Sequence, residues 1–422
     1  MVTTIIFLLG EKYKTLRIVL FTQYYYPEPV AIPHELAKGL VRRGHSVVSI
    51  TGFPNNPHGK VYDGYKQKLW QMDEIDGVKV IRLPVYPDHS LSIIKRSTYF
   101  LSLAIASSLL GPVFSGPVDI IFVFHTLTLG FPALLLSLFR NCPIIFNLQD
   151  MYPESLTTVK MSKKSLIYRS VNRVANFIYE KSAAISVLSP GFKKHLIMKG
   201  VNGRKIHIIY NWADGGVYRP IIREEQLAHK WGMKGRFNVV FAGNMGPPQG
   251  LHNVLEAARL VSDASRIQFV FIGDGIDKDS LIKAVRSHNL QNVRFISRQP
   301  VSKMPGFYAL ADVLLVHLID ESLFEITIPG KTQAYMACGK PILMSVKGDA
   351  ANLVIEAGAG LVARPSDPVD LANAVRVLYK MPLEQRTTMG ANGRKYFLEN
   401  LTIERSLDKY ETLFQKVIVD NQ

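Results

Sequence analysis

Cysteine is nearly missing from this 422-residue chain, which holds only Cys142 and Cys338. Two thiols cannot form a disulfide framework or a cysteine-based zinc site, and they fit a reducing, cytosolic compartment. Acid is also short, with 34 Asp+Glu against 50 Lys+Arg and a net charge of +16. The deficit is uneven: residues 1–220 hold 26 basic and 13 acidic side chains, and the remainder 24 and 21. One half is basic and the other nearly neutral, so the two halves are expected to meet different partners. Charge of either sign is absent from Ser97–Val118 and from Ile120–Phe139. The first stretch reaches Gly111-Pro112 too soon for a comfortable span and reads as a buried or membrane-grazing helix. The second contains His125, Gly130 and Pro132 and reads as a strand, a turn and a helix. Near the N-terminus, Ile5–Gly10 has no basic residues before it and meets Glu11 and Lys12 at once, so residues 1–15 read as an extension and not a signal peptide.

What the chain has throughout is a rhythm of short β-branched runs alternating with helical patterns. The runs are Ile18–Phe21, Val47–Thr51, Val78–Leu83, Ile120–Phe124, Ile144–Asn147, Ala184–Leu188 and Ile206–Tyr210, then Asn238–Ala242, Gln268–Ile272, Val293–Ile296, Val313–Val316 and Pro341–Met344. Runs this apolar suit strands buried on both faces, with helices as crossovers of a parallel sheet. Pro33–Gly44 has the helix grammar, with Leu36, Ala37, Leu40 and Val41 on one face and Gly44 as the stop. The rhythm pauses at Gly215-Gly216 and Arg219-Pro220. The reading is α/β, with two doubly wound Rossmann-like domains facing each other across a cleft. Its parts are an extension at 1–15, a domain at 16–214, a hinge at 215–236, a second domain at 237–390, and a C-terminal helix at 391–422 returning to the first. Such domains bind ligands on the loops after their strands.

Three of those loops could carry chemistry. After Asn238–Ala242 comes Gly243-Asn244-Met-Gly-Pro-Pro-Gln249-Gly250, a glycine-bearing turn into a helix, and Gly273-Asp-Gly follows the next strand. Glycines let backbone N–H groups approach a phosphate, although the spacing matches neither G-x-G-x-x-G nor a Walker loop. Gly330-Lys331-Thr332 opens a helix, and a lysine there opposes the helix dipole unless an anion sits beside it. Asn147-Leu-Gln149-Asp150-Met-Tyr-Pro-Glu154 sets an amide and two carboxylates at a strand end; Asp150 could equally cap the turn that follows. His125, at another strand end, is a weaker candidate and could be a core histidine.

Together these loops resemble the family 4 glycosyltransferases of the GT-B fold. The nearest branch is that of bacterial surface polysaccharide and O-antigen enzymes, which includes N-acetyl-L-fucosamine transferases. The marks run from Arg17 to about Leu413: Thr22-Gln-Tyr-Tyr-Tyr-Pro-Glu, Arg43-Gly-His-Ser-Val, Thr51-Gly-Phe-Pro-Asn-Asn-Pro, Asp150-Met-Tyr-Pro-Glu-Ser, Ile209-Tyr-Asn-Trp-Ala-Asp, Phe241-Ala-Gly-Asn, Ile272-Gly-Asp-Gly and Tyr335-Met-Ala-Cys-Gly-Lys-Pro. The resemblance implies retaining, metal-independent transfer, with no cofactor besides the substrates. It places a nucleotide-sugar donor on the C-terminal domain, at Gly243, Asn244, Gln249, Gly273, Gly330, Lys331 and Thr332. It places the acceptor on the N-terminal domain, with Asp150, Gln149 and Glu154 at the reaction centre. The chain departs from the family where an Arg and a Lys are common in the phosphate loop; Asn244 and Gln249 stand there. The family's two glutamates, seven residues between them, fall on Ile326 and Ala334, with Glu325 and Gln333 one place off. Lys331 is expected to supply the missing positive charge. Asp277-Lys-Asp279 has the Asp-x-Asp form of metal-dependent transferases but sits at a helix start, where Asp is ordinary.

Residues 151–220 carry 12 basic against 3 acidic side chains. Lys163, Lys164, Arg169 and Arg173 surround the apolar set Leu166, Ile167, Val171, Val174 and Ile178. A basic amphipathic helix suits an anionic bilayer. Nucleic acid is the rival for that charge, but no recognition module is visible. The expected protein is cytoplasmic and peripheral to the inner face of the plasma membrane, transferring sugar to a polyprenyl-diphosphate-linked saccharide. A nucleotide-sugar epimerase of the same architecture and a non-catalytic sugar-binding subunit are the alternatives.

Overall fold

The structure, a computed structural model, describes residues 15–88, 92–155 and 165–421. They divide into two compact units, one of residues up to Val187 with Leu196–Ile209 and Leu407–Gln422, the other of Leu188–His195 with Tyr210–Ser406. Lys163 and Lys164 lie outside the described residues.

The first unit is an eight-stranded sheet of β1 (Arg17–Thr22), β2 (Ser46–Gly52), β3 (Gln71–Ile75), β4 (Val78–Leu83), β5 (Ile120–Phe124), β6 (Ile144–Leu148), β7 (Ala184–Val187) and β8 (Ile206–Ile208). Their spatial order is β3-β4-β2-β1-β5-β6-β7-β8, parallel throughout except for β3 against β4. The second unit holds β9 (Phe237–Ala242), β10 (Ile267–Ile272), β11 (Val293–Ile296), β12 (Val313–His317), β13 (Ile342–Ser345) and β14 (Gly360–Val362), in the order β11-β10-β9-β12-β13-β14. All pairs there are parallel. Both sheets reverse direction at their first strand, β1 or β9, which is the doubly wound pattern; functional loops gather at the C-terminal ends of such strands.

The burial explains the β-branched runs. In β9, β10 and β12, Val240, Ile272 and Leu314 feed one apolar cluster, while Phe241, Phe271 and Leu315 feed another. Alternate side chains reach opposite faces, and both faces are covered. Two strands escape the sequence reading. β3 alternates half-buried and exposed residues, and turns into β4 through Asp76 (φ 52°) and Gly77 (φ 79°), a two-residue hairpin. β14 has three residues at the other unit's edge. The first helix runs Ala31–Arg42, two residues earlier than the pattern predicts at both ends, and Gly44 (φ 94°) turns the chain beyond it.

The C-terminal segment splits where the sequence suggested one returning helix. Leu383–Asn400 stays in the second unit, with Phe397 fully buried and Gly390 so close to the Gly339 carbonyl that a Cβ would lie 2.2 Å from it. From Leu407, the helix Ile403–Asp420 belongs to the first unit. Tyr410 and Phe414 pack on Phe122, and Leu407 sits against Gly39. Arg43 pairs with Asp408 at 2.7 Å, and His45 Nε2 lies 2.9 Å from the buried Glu411 carboxylate, which Arg43 also reaches. The Leu16 N–H donates to His45 Nδ1 at 3.1 Å, so that nitrogen is the bare one and Nε2–H donates to Glu411.

Candidate functional site

In the second unit, β9 and β10 end in glycine turns that fit against each other. Gly243 (φ 141°) and Gly273 (φ 145°) take backbone conformations that side chains disfavour. A Cβ on Gly273 would lie 2.0 Å from the Gly243 carbonyl oxygen, so only glycine fits there. Tyr335 Oη bridges the Ala242 backbone, accepting from its N–H at 3.0 Å and holding the end of β9 in place. Past the turn, Asn244 is exposed and a short 3-10 turn, Pro247–Gln249, leads into the helix Leu251–Leu260.

Lys331 comes to this turn from the far side of the sheet, at the start of the seven-residue helix Lys331–Ala337. Its ammonium lies 3.7 Å from the centroid of the Phe241 ring, donates to Gln249 Oε1 at 2.9 Å, and would sit 3.2 Å from a Cβ on Gly243. Among the described residues no carboxylate pairs with it. Burial pulls its pKa down to about 7, since a neutral amide and a ring face compensate little of the lost hydration. The structure therefore brings together Gly243, Gln249, Gly273 and Lys331. Gly330 is exposed with open space above it. Thr332 is fully buried and its hydroxyl meets no partner among the described residues, so it faces the interior. Gln333 is buried too, its amide turned to donate to the Pro329 and Gly330 carbonyls, and Glu325 is exposed.

His317, at the end of β12, went unnoticed in the sequence. Its Nδ1–H donates to the Gln249 carbonyl at 2.6 Å, and burial pulls its pKa down to about 4, so the ring is neutral and holds the turn that carries Gln249. The signal available was slight: one histidine closing an apolar run.

In the first unit, the loop after β6 carries the other predicted residues. Asn147 donates to Ser186 Oγ at 2.9 Å and to Tyr410 Oη at 3.0 Å, and accepts from Gln149 Nε2 at 2.7 Å. Asp150 stands free of that network with 60% of its side chain exposed, and His125 Nε2 approaches its carboxylate at 3.4 Å. His125 has φ 66°, a left-handed conformation costly for a residue with a Cβ, and its N–H is fixed to the Asn147 carbonyl. Burial lowers the His125 pKa, and Asp150 acts in the opposite sense. Glu154 is engaged elsewhere: Lys199 bonds its carboxylate at 3.1 Å and the Tyr152 carbonyl at 2.6 Å. That pair fixes the loop, and of the two predicted carboxylates Asp150 is the exposed one.

Two further loops of this unit are tied by one side chain. Glu28 is buried and accepts from the N–H groups of Tyr25 at 3.1 Å, Asn55 at 2.9 Å and Asn56 at 2.8 Å. It stitches the loop after β1 to the loop after β2. Burial raises its pKa, and the three N–H groups oppose that rise. Arg169 and Arg173 are exposed on the helix Leu166–Lys181, whose C-terminal half packs on the protein through Ala175, Tyr179 and Ile178, the last against Gly130, while Leu166, Ile167 and Phe177 stay exposed. Asp277 and Asp279 flank the start of the helix Lys278–Ser287.

Comparison with known proteins agrees with the fold. Residues 29–212 match the family model described as a glycosyl transferase 4-like domain, and residues 224–396 match that of glycosyl transferases group 1. A "Probable glycosyltransferase WbjE" from Pseudomonas aeruginosa is 29% identical over 69% of this chain and 74% of its own length. WcaI of Escherichia coli (strain K12), named for colanic acid biosynthesis, is 24% identical over 77% of this chain and 82% of its own. Among solved structures, Anabaena Alr3699/HepE in complex with UDP and glucose superposes with a TM-score of 0.69, at 17% identity, over 94% of this chain and 99% of that one. Sucrose-phosphate synthase from Thermosynechococcus elongatus gives 0.75, at 17% identity, over 96% and 99%.

Proposed function

The chain belongs to the family 4 glycosyltransferases and has the GT-B fold, and on that premise we propose that it moves a sugar, with retention of configuration, from a nucleotide diphosphate to a polyprenyl-diphosphate-linked saccharide in bacterial surface polysaccharide assembly. The branch we assign is that of the O-antigen enzymes, which includes N-acetyl-L-fucosamine transferases. WcaI, a relative named for colanic acid biosynthesis, supports a polysaccharide role, and WbjE supports glycosyl transfer. The enzyme works at the cytoplasmic face of the membrane, where such an acceptor resides.

The observation that carries the donor reading is Lys331. A half-buried ammonium with no counter-charge among the described residues, set against two glycine turns, is stabilised by an anion arriving beside it. The donor diphosphate is such an anion, and its charge grows as the sugar bond breaks. Lys331 then stabilises the leaving group more than the ground state. Gln249 keeps the ammonium aimed, and the N–H groups of the Gly243 and Gly273 turns complete the cradle. The leaving diphosphate takes the acceptor proton, so the reaction needs neither a metal nor a paired acid and base. On the first unit, Asp150 and His125 orient the acceptor hydroxyl and the transferred sugar.

Transfer assays with UDP-, GDP- and dTDP-sugars and a polyprenyl-diphosphate saccharide, with the product's anomeric configuration read by NMR, test the proposal. Hydrolysis or epimerisation of a donor with no glycosylated lipid, or an inverted product, would overturn it.

A further inference from the structure

The helix Ile93–Phe114 of the first unit is long and apolar enough to cross a membrane, yet it cannot do so in this fold. Its inner side carries Leu103, Ala104 and Ala106 into the core, and Gly111 lets it settle within 3.5 Å, measured from a Cβ placed there, of the Phe21 ring on β1. Pulling it away would strip the sheet. Its outer side is the anomaly: Leu101, Ile105, Leu109 and Val113 recur every fourth residue and all are exposed, Leu109 and Val113 by 71% and 70%. Four-residue spacing places them in one row along the helix.

The helix Gly130–Arg140 packs beside it and continues the surface with exposed Phe131, Leu138 and Phe139. From Ser97 to Phe139 the one charged residue is Asp119, which is taken by Arg17 at the opposite end of β1. Between the ends of the two helices their exposed sides are therefore free of charge, where a solvated helix ordinarily mixes Lys and Glu. Cations rim this surface. Lys95 and Arg96 are exposed at the start of the first helix, Arg140 ends the second, and Arg169 and Arg173 are exposed on the neighbouring helix Leu166–Lys181.

We propose that this two-helix apolar face seats the first unit in the interfacial layer of an anionic bilayer, lying in the membrane surface without crossing it. The occupant follows from the rim: an apolar interior edged by basic groups complements acyl chains beneath anionic headgroups. The inference rests on the reading that the acceptor is lipid-linked, and goes beyond it by assigning the contact to the row Leu101–Val113 and to Leu138 and Phe139. The helix Leu166–Lys181 contributes charge to the rim and buries Ala175, Ile178 and Tyr179 in the core.

Both natural cysteines are buried, so a cysteine introduced at Leu109 can carry an environment-sensitive fluorophore, with Leu383→Cys on the second unit as the control. Vesicles of phosphatidylglycerol and phosphatidylethanolamine should shift the Leu109→Cys emission to the blue and leave the Leu383→Cys emission unchanged. Leu109→Gln with Val113→Gln should lower partitioning onto the same vesicles by about ten-fold or more, at an unchanged melting temperature. High salt should weaken wild-type binding without abolishing it. Unaltered partitioning of the double variant overturns the proposal, as does failure of the wild type to bind these vesicles. A blue shift that grows with protein concentration in the absence of lipid would assign the face to a second copy of the chain, and would also overturn it. Transfer to a water-soluble acceptor analogue should survive the double substitution; its absence in the wild type would count against the proposed reaction and not against the seat.

Discussion

Lys331 Nζ lies 3.7 Å above the ring of Phe241 and 2.9 Å from the Gln249 amide oxygen, so this lysine faces two neutral groups where an ion would serve it better. Its pKa of about 7 sits far below the ordinary 10.5 because burial disfavours the ammonium. A diphosphate restores the charged form, so donor binding above pH 7 must take up a proton. Donor affinity is expected to be flat below about pH 7 and to fall by up to about ten-fold per pH unit above it. Calorimetric titrations across pH 6–9, in buffers of different ionisation enthalpy, read both the slope and the proton, and a flat profile would remove Lys331 from the site.

Lys331→Ala should reduce donor efficiency by about ten- to a hundred-fold, the worth of a hydrogen bond to a charged group, roughly 1.5–3 kcal/mol. The fall should appear in kcat as well as in donor KM, because the leaving group gains charge in the transition state. Lys331→Met should do the same while raising the melting temperature near pH 7. A lysine whose folded pKa is lowered costs stability wherever it is charged, and the protein recovers that stability as pH rises from about 7 toward 10.5. Gln249→Lys combined with Lys331→Ala should recover part of the activity. A melting temperature that falls in Lys331→Met would count against the account of its burial.

Asp150→Asn should cut transfer strongly and leave the melting temperature nearly unchanged, since 60% of the side chain is exposed. The substitution also removes the carboxylate that raises the His125 pKa against burial. His125 should therefore titrate below the ordinary histidine value in the wild type and lower still in Asp150→Asn, as read from its imidazole NMR signals. Equal titration in the two proteins would separate the residues.

Gly273→Ala tests the two-turn cradle. A Cβ 2.0 Å from the Gly243 carbonyl, at φ 145°, should destabilise the second unit by roughly 3 kcal/mol or more and abolish donor binding. Urea unfolding with a donor thermal shift checks both effects.

Glu411→Ala should destabilise the first unit by about 3–5 kcal/mol, because it leaves Arg43 without one carboxylate and His45 without its acceptor. Denaturant titration should show a first transition displaced to lower urea, with donor binding by the second unit retained.

The parallel strands were legible because doubly covered strands must be apolar along their length. The seams Val78–Leu83 and Val293–Ile296 have the same limits in sequence and structure. β3 was not, since an edge strand needs no apolar run; its sole marker was Asp76-Gly77. Gly243, Gly273 and Lys331 could be singled out because glycines after strands and a cation at a helix start carry meaning alone. Glu28 and His317 could not, because their roles come from partners 27 and 68 residues away. The stripe of Leu166–Lys181 shows a related limit: periodicity shows that a helix has an apolar side, and only packing shows that Ile178 is buried against Gly130 while Leu166 and Ile167 stay exposed.

The separation of Arg43 and His45 from Glu411 also sets an order of events during synthesis. The second unit's main stretch ends at Ser406, whereas the first gains its last helix from Leu407 onward. Until the residues from Leu407 onward leave the ribosome, Phe122 and Asn147 lack Tyr410, and Arg43 and His45 lack Glu411. Of the two units, the one begun first is thus completed after the other. A nascent chain stalled before Leu407 would carry a completed second unit behind a first one still exposing apolar surface, the form most open to chaperones and proteases.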